Sequence, residues 1–268
     1  MRAAFAALLL APAVAAAQAS FDAGVSEARL LAGWAEPDGA RVAGLAIDLA
    51  PGWKTYWRAP GEAGLPPVFD WTGSENVAAV TVEWPAPIVF ETFGLASIGY
   101  DASVVLPLVV VPENPAEPIS LRLGFDYGVC EEICIPERAD LALDIAVDAV
   151  DAGGAAIAAA RARTPMTAAD AGLDAATCAI DGAGRERAFA ARLTFASARA
   201  PGAELLVEGP EGVWFGRSET AVDGATVTAT APVSVFPESL WIARSDLRLT
   251  LLGPDGAVEI AGCAAEAP

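Results

Sequence analysis

The four cysteines are the side chains whose type and spacing most directly suggest covalent chemistry, and they divide into a close pair and a distant pair. Cys130 and Cys134 stand in Gly128-Val129-Cys130-Glu131-Glu132-Ile133-Cys134-Ile135-Pro136, with three residues between them. A disulfide across so short a loop removes little entropy from the unfolded chain, because the gain grows with the logarithm of loop length. Such a bridge suits thiol-disulfide exchange, in which a thiolate attacks a disulfide sulfur, better than it suits holding a fold together. Two other readings stay open: a static tie between strand ends, in a non-catalytic adaptor, and a thiolate pair that holds Cu(I), which favours soft ligands. Copper binding is weakened by the lack of histidine and by the scarcity of methionine, since Met166 is the only one beyond Met1.

The neighbours of the close pair are mostly acidic. Asp126, Glu131, Glu132 and Glu137 lie nearby in sequence and only Arg138 offsets them. Negative neighbours disfavour a thiolate, so the pair is expected to be a sluggish nucleophile until a docked partner changes its surroundings. Cys178 and Cys263 read differently. A bridge between them closes a long loop, worth about 4 to 5 kcal/mol in the chain-entropy model, which is what a structural disulfide supplies.

The close pair connects two clear strand patterns. Ile119, Leu121, Leu123, Phe125 and Tyr127 alternate with polar or small residues, and Leu141, Leu143, Ile145 and Val147 do the same. Upstream, Glu27 to Trp34 and Val42 to Leu49 flank the turn Glu36-Pro37-Asp38-Gly39, and Val77 to Trp84 and Val104 to Val111 read as further strands. The spacing predicts an all-β fold: a sandwich over residues 20–148, followed by a second, smaller β-sandwich over 177–268. Between them, residues 149–176 turn to Ala, Gly, Asp and Arg and read as a linker with a short helix from Ala155 to Arg163.

Composition narrows the function further. With 35 acidic against 16 basic side chains and no histidine, the formal charge is −19 at pH 7, which excludes His-based triads and His-ligated metal sites and disfavours nucleic acid as a partner. No metal or other cofactor is expected. Residues 1–19, with Arg2, the apolar run Ala3 to Ala17 and the small-residue site Ala17-Gln18-Ala19, read as a secretory signal peptide. No later stretch reaches the ~18 apolar residues that direct membrane insertion requires. In a Gram-negative cell the destination is then the periplasm, where disulfides persist.

Three stretches together resemble one family. Tyr127 to Leu143, YGVCEEICIPERADLAL, is similar to the cysteine hairpin of the N-terminal periplasmic domain of the thiol:disulfide interchange protein DsbD, especially the branch known for suppressing copper sensitivity. Pro51 to Pro67 resembles the family's Gly-Trp-x-Thr-Tyr-Trp segment, and Phe90 to Val110 its cap loop and following strand. The resemblance implies an immunoglobulin-like sandwich whose Cys130 and Cys134 take electrons from a membrane-embedded thiol reductase and pass them to periplasmic thioredoxin-fold proteins. It implies that Phe93, in Glu-Thr-Phe-Gly, caps the disulfide, and that Tyr100, Tyr127 and Pro136 line the site. Trp53, Tyr56 and Trp57 are expected to fill the core. Two departures accompany it: the cysteine spacing is shorter than in the better-known branch, and Lys54 stands where histidine is frequent. The multi-helix electron-conducting domain and the thioredoxin domain of full-length members have no counterpart in the sequence, so a separate partner is expected to supply electrons.

Overall fold

A computed structural model describes residues 24–92, 94–147 and 153–265. The expected signal peptide lies outside them. In chain order the first unit comprises β1 (Ser26–Ala35), β2 (Arg41–Leu49), β3 (Lys54–Gly61), β4 (Val68–Asp70), β5 (Ala79–Val82), β6 (Ile88–Thr92), β7 (Leu95–Tyr100), β8 (Val104–Val111), β9 (Ile119–Cys130) and β10 (Cys134–Ile145). One sheet runs β1-β2-β8-β5; the other runs β10-β9-β3-β7-β6, with β4 beside β9.

The alternation seen in the sequence produces the two-layer packing. Side chains of a strand point alternately to its two faces, so β9 buries Ile119, Leu121, Leu123, Phe125, Tyr127 and Val129, while Ser120, Arg122, Gly124 and Asp126 lie on the other face. Facing them, Leu45 and Ile47 of β2 and Leu106, Leu108 and Val110 of β8 complete the same core. Full burial of each such side chain contributes roughly 1.5–3 kcal/mol. The nearly continuous apolar run of β8 suits a strand covered on both faces, by the core on one and by the short helix of residues 154–161 on the other.

A short helix, α1 (Gly154–Arg161), then packs on β8, β1 and β2. Its Ile157 is fully buried because Gly33 and Gly44 leave room for it: a Cβ on Gly44 would lie 2.8 Å from Ile157 Cγ1. Arg161 anchors the last turn by ion pairs to Glu36 (2.7 Å) and Glu83 (2.8 Å).

The second unit comprises β11 (Met166–Thr167), β12 (Leu173–Asp181), β13 (Glu186–Phe195), β14 (Glu204–Glu208), β15 (Val213–Phe215), β16 (Glu219–Asp223), β17 (Thr226–Val235), β18 (Arg248–Leu252), β19 (Val258–Ala261) and β20 (Ala264–Ala265). These again form two sheets, β11-β19-β18-β14 and β15-β17-β13-β12-β20, with β16 beside β17. Their core gathers Phe189, Leu193, Leu205, Val233 and Leu249. The all-β expectation is therefore met in both halves. β12 begins at Leu173, inside the segment that reads as linker; its inward positions include Ala176 and Cys178, too small to give a strong pattern. Cys178 and Cys263 are disulfide-bonded across this unit, with Cα atoms 5.8 Å apart.

Candidate functional site

Register brings the close cysteines together. β9 and β10 pair without interruption from Ile119 opposite Ile145 to Cys130 opposite Cys134, so the two cysteines are the last facing residues of a hairpin. Their Cα atoms are 4.1 Å apart and their sulfurs are bonded. By the period of two, Cys130 lies on the outer face of the sheet with Gly128, away from the core face that holds Tyr127 and Val129. The intervening Glu131, Glu132 and Ile133 are exposed.

The two sulfurs are not equivalent. β9 lies between β10 and β3, and Cys130, with Cys134 on one side and Lys54 on the other, is 1% exposed. Cys134 begins the edge strand β10 and is only half-buried.

Tyr56 covers the pair from β3. Its neighbours Thr55 and Trp57 point inward, and Thr55 is tied down by a hydroxyl hydrogen bond to the Gly128 carbonyl (2.9 Å). Tyr56 is thereby turned to the outer face, where its ring lies against Gly128. A Cβ on Gly128 would come within 3.0 Å of Tyr56 Cδ2 and 2.9 Å of Leu65 Cβ, so only glycine admits the ring. The Tyr56 hydroxyl reaches 3.3 Å from Cys134 Sγ. A disulfide sulfur carries no proton, so the hydroxyl donates. Burial pushes the Tyr56 pKa up and keeps that proton in place.

Phe90 of β6 stacks on Tyr56 with ring centroids 6.4 Å apart, and Lys54 Nζ lies 5.6 Å from the centre of the Phe90 ring. A hydroxyl donor therefore stands beside a pair whose neighbours in sequence are acidic, and a cation lies at the neighbouring Phe90 ring. Part of that acidity is also compensated, since Arg138 donates to both oxygens of Asp126 (3.1 and 3.0 Å) and to Asp140 (3.2 Å).

The residues expected to line the site are distributed differently. Tyr127 stacks on Phe125 in the core, with its hydroxyl 2.9 Å from that of Ser26. Tyr100, opposite Thr55, is also turned inward and donates to the Pro85 carbonyl (2.9 Å). Both therefore sit on the core face, across the sheet from Cys130. Pro136 pairs with Gly128 and is exposed beside the cysteines. Phe93 lies outside the described residues, between β6 and β7. Tyr56, expected in the core with Trp57, is buried at 3% exposure but on the opposite face of the sheet, where its hydroxyl reaches the disulfide. The available signal was the alternation of β3, in which Tyr56 and Trp57 must face opposite ways. Among the described residues no cluster of three or more metal-ligating side chains occurs, and no helix is long and apolar enough to cross a membrane.

Residues 27–146 match the family described as thiol:disulfide interchange protein DsbD, N-terminal. The structure is similar to the crystal structure of the N-terminal periplasmic domain of ScsB from Proteus mirabilis, with a TM-score of 0.71 and 22% identity, covering 91% of this chain and 94% of that one. At this identity the likeness establishes the shared fold, and its coverage takes in the second unit as well as the first. No curated protein matches the sequence. Residues 27–146, which span the first two-sheet unit and its cysteine hairpin, are thus the part of the chain that matches the family of DsbD N-terminal domains.

Proposed function

We propose that the protein is a periplasmic thiol-disulfide exchange module, which takes electrons from a membrane-embedded thiol reductase and passes them to thioredoxin-fold proteins. The observation that carries this reading is the asymmetry of the pair: Cys130 is buried at 1% exposure, whereas Cys134 is half-buried and within reach of a hydroxyl donor.

In the first half-reaction a donor thiolate attacks Cys134 Sγ. The S–S bond breaks, and Cys130 leaves as a thiolate and takes up a proton. The donor's second thiol, once deprotonated, attacks the donor sulfur of the mixed disulfide and releases Cys134. Two electrons and two protons have then moved: the donor dithiol has become a disulfide and Cys130 and Cys134 a dithiol. In the second half-reaction Cys134 thiolate attacks the acceptor disulfide, and Cys130 then attacks Cys134 Sγ to release the reduced acceptor. The Tyr56 hydroxyl donates to Cys134 Sγ whenever that atom carries negative charge, which lowers the energy of the thiolate as nucleophile and as leaving group. Phe93 is assigned as the cap on the Glu-Thr-Phe-Gly match, an aromatic that keeps small thiols out until a partner docks. Cys178 and Cys263 are assigned a structural role.

Two measurements test the reading. The Cys130–Cys134 disulfide of the folded protein should equilibrate with glutathione buffers at about −200 mV, within the range of exchange proteins. Cys130→Ser, which leaves Cys134 with no resolving partner, should accumulate a mixed disulfide with a thioredoxin-fold protein. A pair that resists reduction throughout that range, or a trap that forms only through Cys130 in Cys134→Ser, would overturn the assignment. Stoichiometric Cu(I) uptake by a reduced pair that reacts with no protein disulfide would favour metal binding instead.

A further inference from the structure

The second unit touches the first at the strands that cover the disulfide. Arg58, two residues beyond Tyr56 on β3, donates from Nε and Nη2 to the two carboxylate oxygens of Glu208 on β14 (2.9 and 2.8 Å), and from Nη2 to Glu259 on β19. Its guanidinium lies 4.1 Å from the centre of the Trp57 ring. The side chains of Arg58 and Glu208 are only 15% and 17% exposed, so solvent screens the pair much less than an ordinary surface ion pair.

Beside this clamp the β6–β7 hairpin has two occupied faces. On the outer face Phe90 stacks on Tyr56, which reaches Cys134 Sγ. On the inner face Val89, Ala96 and Ile98 line a seam with Leu205, Leu206 and Phe215 of the second unit, and the space left between them is only about 30 Å³. Leu206, 6% exposed, belongs to the core of the first unit rather than the second. The hairpin that carries Phe90 is thus backed by the second unit and fronted by the disulfide's own cover.

Resting on the exchange reading above, we infer that the second unit is the positioning element of the exchange site. Through the Arg58–Glu208–Glu259 clamp and the Leu206 seam it holds β3 and the β6–β7 hairpin, and so sets how often the Tyr56–Phe90 cover lifts from Cys134. Arg58 is a positioning residue: it acts on the sulfur through Tyr56 and never touches it. The second unit thereby has a task in the reaction without contributing a reacting group.

The test uses the full chain and two readouts: amide hydrogen exchange of residues 88–92 and 94–99, and the rate at which dithiothreitol reduces the Cys130–Cys134 disulfide. Arg58→Gln is compared with Leu193→Ala, which loosens the second unit's core away from the seam. A triple variant, Arg58→Gln with Glu208→Gln and Glu259→Gln, leaves no unpaired carboxylate and keeps the test available where Arg58→Gln alone folds poorly. Local opening is read directly by exchange, and Arg58→Gln is expected to accelerate the hairpin amides about tenfold. Dithiothreitol reduction should rise by a similar factor, roughly tenfold, because access to the sulfur limits that rate. Leu193→Ala should change both by less than about twofold.

Unchanged hairpin exchange in a folded Arg58 variant would overturn the inference. So would faster hairpin exchange with an unaltered reduction rate, since the clamp would then not act on the sulfur. A disulfide that no thiol reduces, in wild type or variants, would instead remove the exchange reading, while the hairpin amides still report whether the clamp holds.

Discussion

At the scale of single residues, the candidate site comes down to three side chains and one glycine, Cys130, Cys134, Tyr56 and Gly128. Tyr56 donates to Cys134 Sγ, so removing only its hydroxyl isolates the electrostatic contribution. Tyr56→Phe takes a donor from the charged form of the Cys134 thiol; the thiol pKa therefore rises and the thiolate fraction at neutral pH falls. Alkylation of the reduced protein at pH 7 is expected to slow by about three- to tenfold, with the gap closing at alkaline pH where both proteins are fully thiolate. A rate difference that persists at high pH would point to steric access instead. Gly128→Ala tests the packing that places the ring. The added Cβ meets Tyr56 and Leu65 at 3.0 Å or less, so the variant should lose roughly 1–3 kcal/mol in denaturant unfolding and react faster with dithiothreitol as the ring is displaced. The cysteines were legible in the sequence because spacing alone marks them. Tyr56 was not, because its role depends on which face of β3 it occupies and on a glycine 72 positions later, as its contact to Cys134 spans 78.

At the scale of elements, the β9–β10 hairpin is the part that sequence reading reaches most directly. Strict alternation specifies register, since a one-residue slip would turn every inward side chain outward, and that register puts Cys130 opposite Cys134. The β6–β7 hairpin was harder to see: its turn includes Gly94 and its inner face carries Val89, Ala96 and Ile98, a pattern shared with ordinary loops that contain apolar residues. The docking of α1 depends on an ion pair that has a pH signature. Glu36 has its pKa lowered, first by the hydrogen bond from Arg161 and then by that from Trp34. A carboxylate depressed in the folded state contributes stability above its ordinary pKa of 4.5, and that contribution is lost as pH falls through the folded value. Glu36→Gln should therefore unfold at lower denaturant than wild type at pH 7, and the two curves should converge below pH 4.5. Curves that stay apart at low pH would mean the glutamate acts by shape rather than charge.

At the scale of the whole molecule, the two units are joined by charge and by packing. Cys178 and Cys263 lie 85 residues apart in sequence, so their bridge constrains much of the second unit's unfolded chain. Replacing both by alanine is expected to lower stability by about 2–5 kcal/mol in denaturant unfolding while leaving the glutathione equilibrium of Cys130 and Cys134 within about twofold. A large shift in that equilibrium would show that the distant disulfide takes part in exchange. The clamp adds the reverse dependence: disturbing the seam should change the kinetics at Cys134 while leaving the second unit folded.

What the sequence by itself determined was local in origin. Alternation along each strand gives the all-β architecture, the close spacing of Cys130 and Cys134 marks the candidate pair, and the missing histidines remove whole classes of chemistry. The tertiary structure decided which cysteine is reachable, which tyrosine touches it and what the second unit holds. Arg58 meets Glu208 and Glu259 across 150 and 201 residues, and contacts of that range arise from how sheets stack and cross rather than from any repeat along the chain. A period of two says that a side chain faces in or out; only the packed layers say what stands on the other side.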